Sequence, residues 1–136
     1  MQYNFRFGGP SDDLLTAIQQ TNDGGYITGG FSNSDIGGDR TENSRGSYDY
    51  WVVKSDSAGN KIWDKRFGGD DYDELFSVLQ TADGGYLLGG WSTSGANGDK
   101  SDTCWAAGSS CQGEHASRRA SFGQQRFRSP ARSGRR

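Results

Sequence analysis

Cysteine is missing from the first 102 residues; the only two, Cys104 and Cys111, stand close together nearer the C-terminal end. The long N-terminal part therefore has no disulfide framework and offers no thiolate to a metal or a nucleophilic mechanism. Histidine occurs once, as His115, and proline twice. No apolar run approaches the 18 or so residues that a membrane-spanning helix needs. The opening residues Met1-Gln2-Tyr3-Asn4-Phe5 lack the basic and apolar regions of a signal peptide. Any export signal of a parent protein is expected outside this sequence. Apolar side chains make up only 31% of the 136 residues, poor material for one large compact core.

What the chain does have is glycine, at 22 positions, and aromatics, at 12%. Aromatic and β-branched residues separated by Gly, Asn, Asp and Ser fit short strands joined by tight turns. Charge is unevenly distributed. Residues 1–102 carry 8 basic and 16 acidic side chains, net −8, whereas residues 103–136 carry 7 arginines and only Glu114, net +6. No lysine follows Lys100. The two parts look like different material.

The first part repeats itself. With residues 3–42 placed against 63–102 and no gap, 18 of 40 pairs are identical, a period of 60 residues. Phe7-Gly8-Gly9 returns as Phe67-Gly68-Gly69, and Asp23-Gly24-Gly25-Tyr26 as Asp83-Gly84-Gly85-Tyr86. Gly29-Gly30 returns as Gly89-Gly90, and Gly38-Asp39 as Gly98-Asp99. A fixed period of this length signals a repeat architecture. Within one period four strands are expected, over about 13–20, 25–32, 48–55 and 61–67, with a new first strand near Asp73. Asn22-Asp23-Gly24 and Asp56-Ser57-Ala58-Gly59-Asn60 read as tight turns. The polar stretch from Ser32 to Ser47 reads as a loop. Residues 13–67 should form one antiparallel sheet, and 73–92 should start another. Four antiparallel strands per period is the pattern of a propeller blade, so the fold class is all-β: tandem four-stranded blades, a partial β-propeller of about one and a half repeats over 1–102. Paired glycines inside a strand are costly unless a backbone or bulky group packs against them. Trp51, Val53, Trp63 and Phe67 on one side, and Tyr86, Leu88 and Trp91 on the other, are expected to pack between the sheets.

The runs FGG, QTxDGGYxxGG, DYWVVK and GNKIWDKxFGG resemble the DGGY-type repeats of large secreted or lipid-anchored surface proteins of bacteria and archaea, often found ahead of a C-terminal secretion-sorting domain in Bacteroidota. The resemblance covers roughly residues 1–102. It implies a propeller-type fold and an extracellular or cell-envelope setting. It implies no reaction and supplies no catalytic residues.

The third copy of DYWVVK is due near 109–114, where Ser109-Ser110-Cys111-Gln112-Gly113-Glu114 stands instead. Back-translated and shifted by one base, Cys-Gln-Gly-Glu permits Val-Lys-Val-Asn, close to Val53-Lys54-Ser55-Asp56. A slip of the reading frame between Lys100 and Cys111 would explain the match, leaving 103–136 as an Arg- and Ser-rich tail with little packed structure.

Several clusters invite chemical readings. Asp35, Asp39 and Glu42 could offer oxygens to Ca²⁺, but their spacing is not that of a calcium loop. Asp12-Asp13, Asp70-Asp71 and Asp73-Glu74 are paired carboxylates, as glycosidases use, yet they recur with the repeat directly after FGG. Strand-end hydrogen bonding explains such recurrence better. Cys104, Cys111 and His115 lack zinc-ligand spacing and a fourth ligand. Arg118, Arg119, Arg126, Arg128, Arg132, Arg135 and Arg136 could grip phosphate non-specifically, but the abrupt composition shift favours accidental peptide. The aromatics Tyr26, Phe31, Tyr48, Tyr50, Trp51, Trp63, Tyr86 and Trp91 could form a carbohydrate platform, but their alternation fits core between sheets. No catalytic, metal or cofactor-binding residue is therefore assigned. The leading expectation is a non-catalytic repeat module with a binding or spacer role, its ligand a protein or carbohydrate. The alternatives are a non-catalytic segment of a secreted glycan-degrading enzyme and a nucleic-acid-associated protein acting through the tail.

Overall fold

The computed structural model describes residues 6–99 and the backbone of a short strand at 125–128. The described elements are all strands: β1 (Asp13–Gln20), β2 (Tyr26–Ser32), β3 (Asp49–Ser55), β4 (Lys61–Phe67), β5 (Asp73–Gln80), β6 (Gly85–Ser92) and β7 (Gln125–Arg128). They form two antiparallel sheets, β1-β2-β3-β4 and β5-β6-β7. The first sheet falls on residues 13–67 and the second begins at Asp73, as the periodicity predicts. Among the described residues no helix is long and apolar enough to cross a membrane. The two sheets stack on each other and do not close into a ring.

The turns are as tight as their sequences demand. Gly24 N–H donates to the Thr21 carbonyl at 2.9 Å, and Gly24 sits at φ 83°. Asp23 braces this turn by accepting from Gly25 N–H at 3.0 Å and from the Thr21 hydroxyl. The second turn repeats the device: Asp56 Oδ1 accepts from Ala58 N–H and Asn60 N–H at 2.9 and 2.8 Å, and Gly59 adopts φ 88°. Positive φ at these points favours glycine because it has no Cβ to clash.

β1 carries a bulge between Leu15 and Ala17, and β5 carries the same bulge between Leu75 and Ser77. The bulge is what requires the glycine pairs. It brings the Leu14 backbone over Gly30, where a Cβ would run into the Leu14 carbonyl and lie 3.0 Å from Leu15 Cα. Gly29 faces the other way, and a Cβ there would lie 2.8 Å from Leu75 Cδ2 of the second sheet. In the first pair Gly30 thus accommodates the neighbouring strand and Gly29 admits a side chain from the next sheet; in the second, Gly90 faces the Glu74 carbonyl and Gly89 faces the Ser77 hydroxyl of its own sheet.

The core lies between the sheets. The first contributes Ile27, Tyr50, Val52 and Phe67; the second contributes Leu75, Val78, Tyr86 and Leu88. Trp63 packs on its rim, edge-on to Tyr86 at 5.8 Å between centroids. The expected packing needs correcting at Trp91, Trp51 and Val53. Trp91 stands at the opposite parity of β6 from Tyr86 and Leu88, outside the core, and donates through Nε1 to Glu74. Trp51 and Val53 are not on the core-facing side of β3. Side chains alternate along β3, so Tyr50 and Val52 point at the second sheet while Trp51 and Val53 point away from it. The run Tyr50-Trp51-Val52-Val53 is apolar at both parities, and its sequence does not say which pair meets the neighbour.

Polar links reinforce the junction. Asp73 N–H donates to the Tyr48 carbonyl at 2.7 Å, Asn22 N–H to Gln80 Oε1 at 2.8 Å and Gln80 N–H to Gln19 Oε1 at 2.6 Å. Tyr48 stacks on Tyr72 at 5.9 Å. In the tail, the backbone of Gln125–Arg128 pairs with β6, Tyr86 opposite Phe127. It lies along β6 as β3 lies along β2. The remainder of the tail lies outside the described residues.

Candidate functional site

Two places concentrate chemical groups: the loop ends after each FGG, and a groove on the outer face of the first sheet. At the loop ends a carboxylate organises its own surroundings. Asp13 Oδ2 accepts from Gly9 N–H at 2.7 Å, and its Oδ1 accepts from the hydroxyls of Ser32 and Ser34. The second copy repeats this with Asp73, which accepts from Gly69 N–H at 2.8 Å and the Ser94 hydroxyl at 2.9 Å. Asp39 accepts from Gly8 N–H at 3.0 Å and Asp99 from Gly68 N–H at 3.1 Å. Both carboxylates of each set hold the same glycine pair, so Phe-Gly-Gly, Ser-x-Ser and Gly-Asp recur together because they are one knot of hydrogen bonds.

The other carboxylates singled out by sequence are dispersed. Asp35 accepts from Ser44 N–H at 3.2 Å, while Glu42 accepts from Arg66 N–H at 3.0 Å and pairs with Lys65 and Arg66 at 3.5 Å. Asp35, Asp39 and Glu42 thus serve separate sets of partners. Among the described residues no group of three His, Cys, Asp or Glu is placed to hold a metal ion. Asp12 accepts from the Tyr48 hydroxyl at 3.2 Å, and Glu74 from Trp91 Nε1 at 3.0 Å. Asp70 and Asp71 donate their N–H groups to Asn97 and Ser94. Cys104, Cys111 and His115 lie outside the described residues, as do the arginine side chains of the tail.

Sequence reading missed Asp49 and Arg40, both buried. Asp49 Oδ2 accepts from Arg45 N–H at 2.6 Å and the Ser44 hydroxyl at 3.0 Å. Burial raises its carboxyl above the usual range. The Arg40 guanidinium lies 5.6 Å from the Trp51 ring and donates through Nε to the Glu42 carbonyl at 3.0 Å. The recurrence of a basic residue at Arg40 and Lys100 is the one signal that could have found it.

Burial pushes the Asp73 carboxyl from 3.8 up to about 6, with the Asp49 charge adding to the rise. Hydrogen bonds from Ser92, Gly69 and Ser94 oppose it. A carboxyl harder to ionise in the folded than in the unfolded chain favours folding while it is protonated, so this contribution is lost as pH rises from about 4 to about 6. Asp73→Asn keeps an acceptor and removes the titration. It should flatten the fall in melting temperature across that window; an unchanged slope in thermal melts would refute the assignment.

The groove encloses about 570 Å³. Phe7, Leu15, Ile18, Tyr26, Trp51 and Val53 line it. The aromatics do not form one platform: Tyr50 and Tyr86 are in the core, Tyr26 and Trp51 face the groove, and Phe31 packs edge-on to Tyr48 at 5.6 Å. No family model matches the chain, and comparison with curated proteins gave no match.

Proposed function

We propose that this chain is a non-catalytic repeat module of a secreted or cell-surface protein, with a binding or spacing role, its two sheets being successive blades of a propeller-type assembly. The observation that carries the reading is the recurring knot at Asp13 and Asp73. Glycoside hydrolysis needs two carboxyl groups facing each other across a substrate. Here the recurring carboxylates are turned onto backbone N–H groups and serine hydroxyls of their own loops. Supporting the blade reading, β1 to β4 pair in sequential order and the next sheet begins six residues after Phe67, stacked face to face on the first. The cell-surface setting rests on the resemblance of the DGGY runs.

The test is the DNA around the coding sequence, read in all three frames. The expected result is further 60-residue repeats, including DYWVVK in the +1 frame downstream of Lys100, within a gene that encodes an export signal. A +1 frame with no continuing repeat would remove the frame-slip account. A gene with neither further repeats nor an export signal would overturn the proposed function.

A further inference from the structure

The same face of the repeat is buried in the second copy and open in the first. Leu75 is fully buried and its counterpart Leu15 is 66% exposed; Val78 is 9% exposed and its counterpart Ile18 is 62% exposed. Tyr86 and Leu88 are buried, whereas Tyr26 and Thr28 are only half-buried. In the second copy the cover is the opposite face of the first sheet: Ile27, Tyr50, Val52 and Phe67, with Gly29 admitting Leu75. The groove is therefore the first copy's version of an interface that the second copy already shows filled.

We infer that the Leu15–Ile18–Tyr26 face is a docking surface for another four-stranded sheet of this repeat, joined on the N-terminal side and presenting the counterparts of Ile27, Tyr50, Val52 and Phe67. Two observations select this occupant. The first is continuity with the established interface, since the face that would dock is one the repeat demonstrably forms. The second is Phe7. By register it is the counterpart of Phe67, the last residue of β4, which pairs with Tyr50 and enters the core between sheets. Phe7 already lines the groove. The position that the last strand of a preceding sheet would give to its phenylalanine is thus occupied. The surface is apolar enough to need cover: Leu14, Leu15 and Ile18 are all exposed. Repeat architectures bury each hydrophobic face against the neighbouring unit. The inference rests on the stacked-repeat part of the proposed function and not on its cell-surface part.

The test compares the full chain with the full chain extended by a second copy of residues 3–62 joined directly ahead of Tyr3, which keeps the register. Each carries Ile18→Cys, and modification at that position is followed by peptide mass so that Cys104 and Cys111 do not interfere. In the full chain the thiol should react at close to the rate of an exposed cysteine. In the extended chain it should react at least about tenfold more slowly, because a side chain covered by a packed sheet is reached only through opening. Ile18→Asp supplies an independent readout. It should move the melting temperature of the full chain by less than about 2 °C and that of the extended chain by about 8 °C or more, since burying an unpaired charge is among the most damaging substitutions. Equal labelling rates and equal melting shifts in the two proteins would overturn the inference. Slow labelling in the full chain that becomes fast on dilution would also overturn it, by showing that a second copy of the chain is the occupant.

Discussion

Gly30→Ala is expected to cost about 3 kcal/mol or more of unfolding free energy. The argument is geometric. A methyl group at Gly30 would meet the Leu14 carbonyl oxygen and lie 2.8 Å from its carbon and 3.0 Å from Leu15 Cα. All three are backbone atoms, so no rotamer change can make room. They lie where they do because β1 bulges between Leu15 and Ala17. Relief would require β1 to detach from β2. The second copy makes the same prediction independently. Gly90→Ala would strike the Glu74 carbonyl, approach Leu75 Cα at 2.8 Å and press on the Tyr50 hydroxyl at 2.5 Å. By contrast, a Cβ at Gly95 would have only the Asn97 side-chain amide within reach, at 3.4 Å. Gly95→Ala should therefore stay within about 0.5 kcal/mol of the parent. Denaturant titration of the three variants checks the ranking, and equal midpoints would refute the bulge account.

Leu75→Ala should be the most damaging truncation of the aliphatic core, at about 2–5 kcal/mol. Leu75 is fully buried and projects into the space left by Gly29, among Ile27, Val52 and Tyr50 of the other sheet. Truncation leaves a cavity at the centre of the apolar core between the two sheets. Neither wall can easily close on it, because each is a hydrogen-bonded strand. The low apolar content of the chain gives this loss unusual weight, since few other side chains share the load. Gly29→Ala probes the same contact from the opposite wall. Its methyl would press on Leu75 Cδ2, which can move, so a smaller loss is expected than for Gly30→Ala.

Strands and turns were legible in the sequence because their signals are local. Asn22-Asp23-Gly24 and Asp56 to Asn60 mark hairpins whose geometry depends on a few φ values and one carboxylate each. The repeat fixed where the second sheet begins. Three features were not legible. Which face of β3 meets the neighbour is ambiguous, because Tyr50-Trp51-Val52-Val53 is apolar on both. The bulge opposite Gly30 leaves no trace beyond the glycine itself. Burial of Leu75 and exposure of Leu15 cannot be read from either residue, since the two are identical and differ only in what lies above them. The candidate site was legible in part for the same reason. Recurrence pointed to Asp13 and Asp73 as structural carboxylates, while Asp49 and Arg40 owe their burial to the loop between β2 and β3.

The most direct test of the stacked-repeat account is the difference in unfolding free energy between Leu15→Ala and Leu75→Ala in the full chain, by equilibrium denaturation. The two substitutions are chemically the same, at the same place in the repeat, 60 residues apart. With Leu75 covered and Leu15 open, the account predicts a loss below about 1 kcal/mol for Leu15→Ala and about 2–5 kcal/mol for Leu75→Ala. Equal losses at the two positions would contradict it.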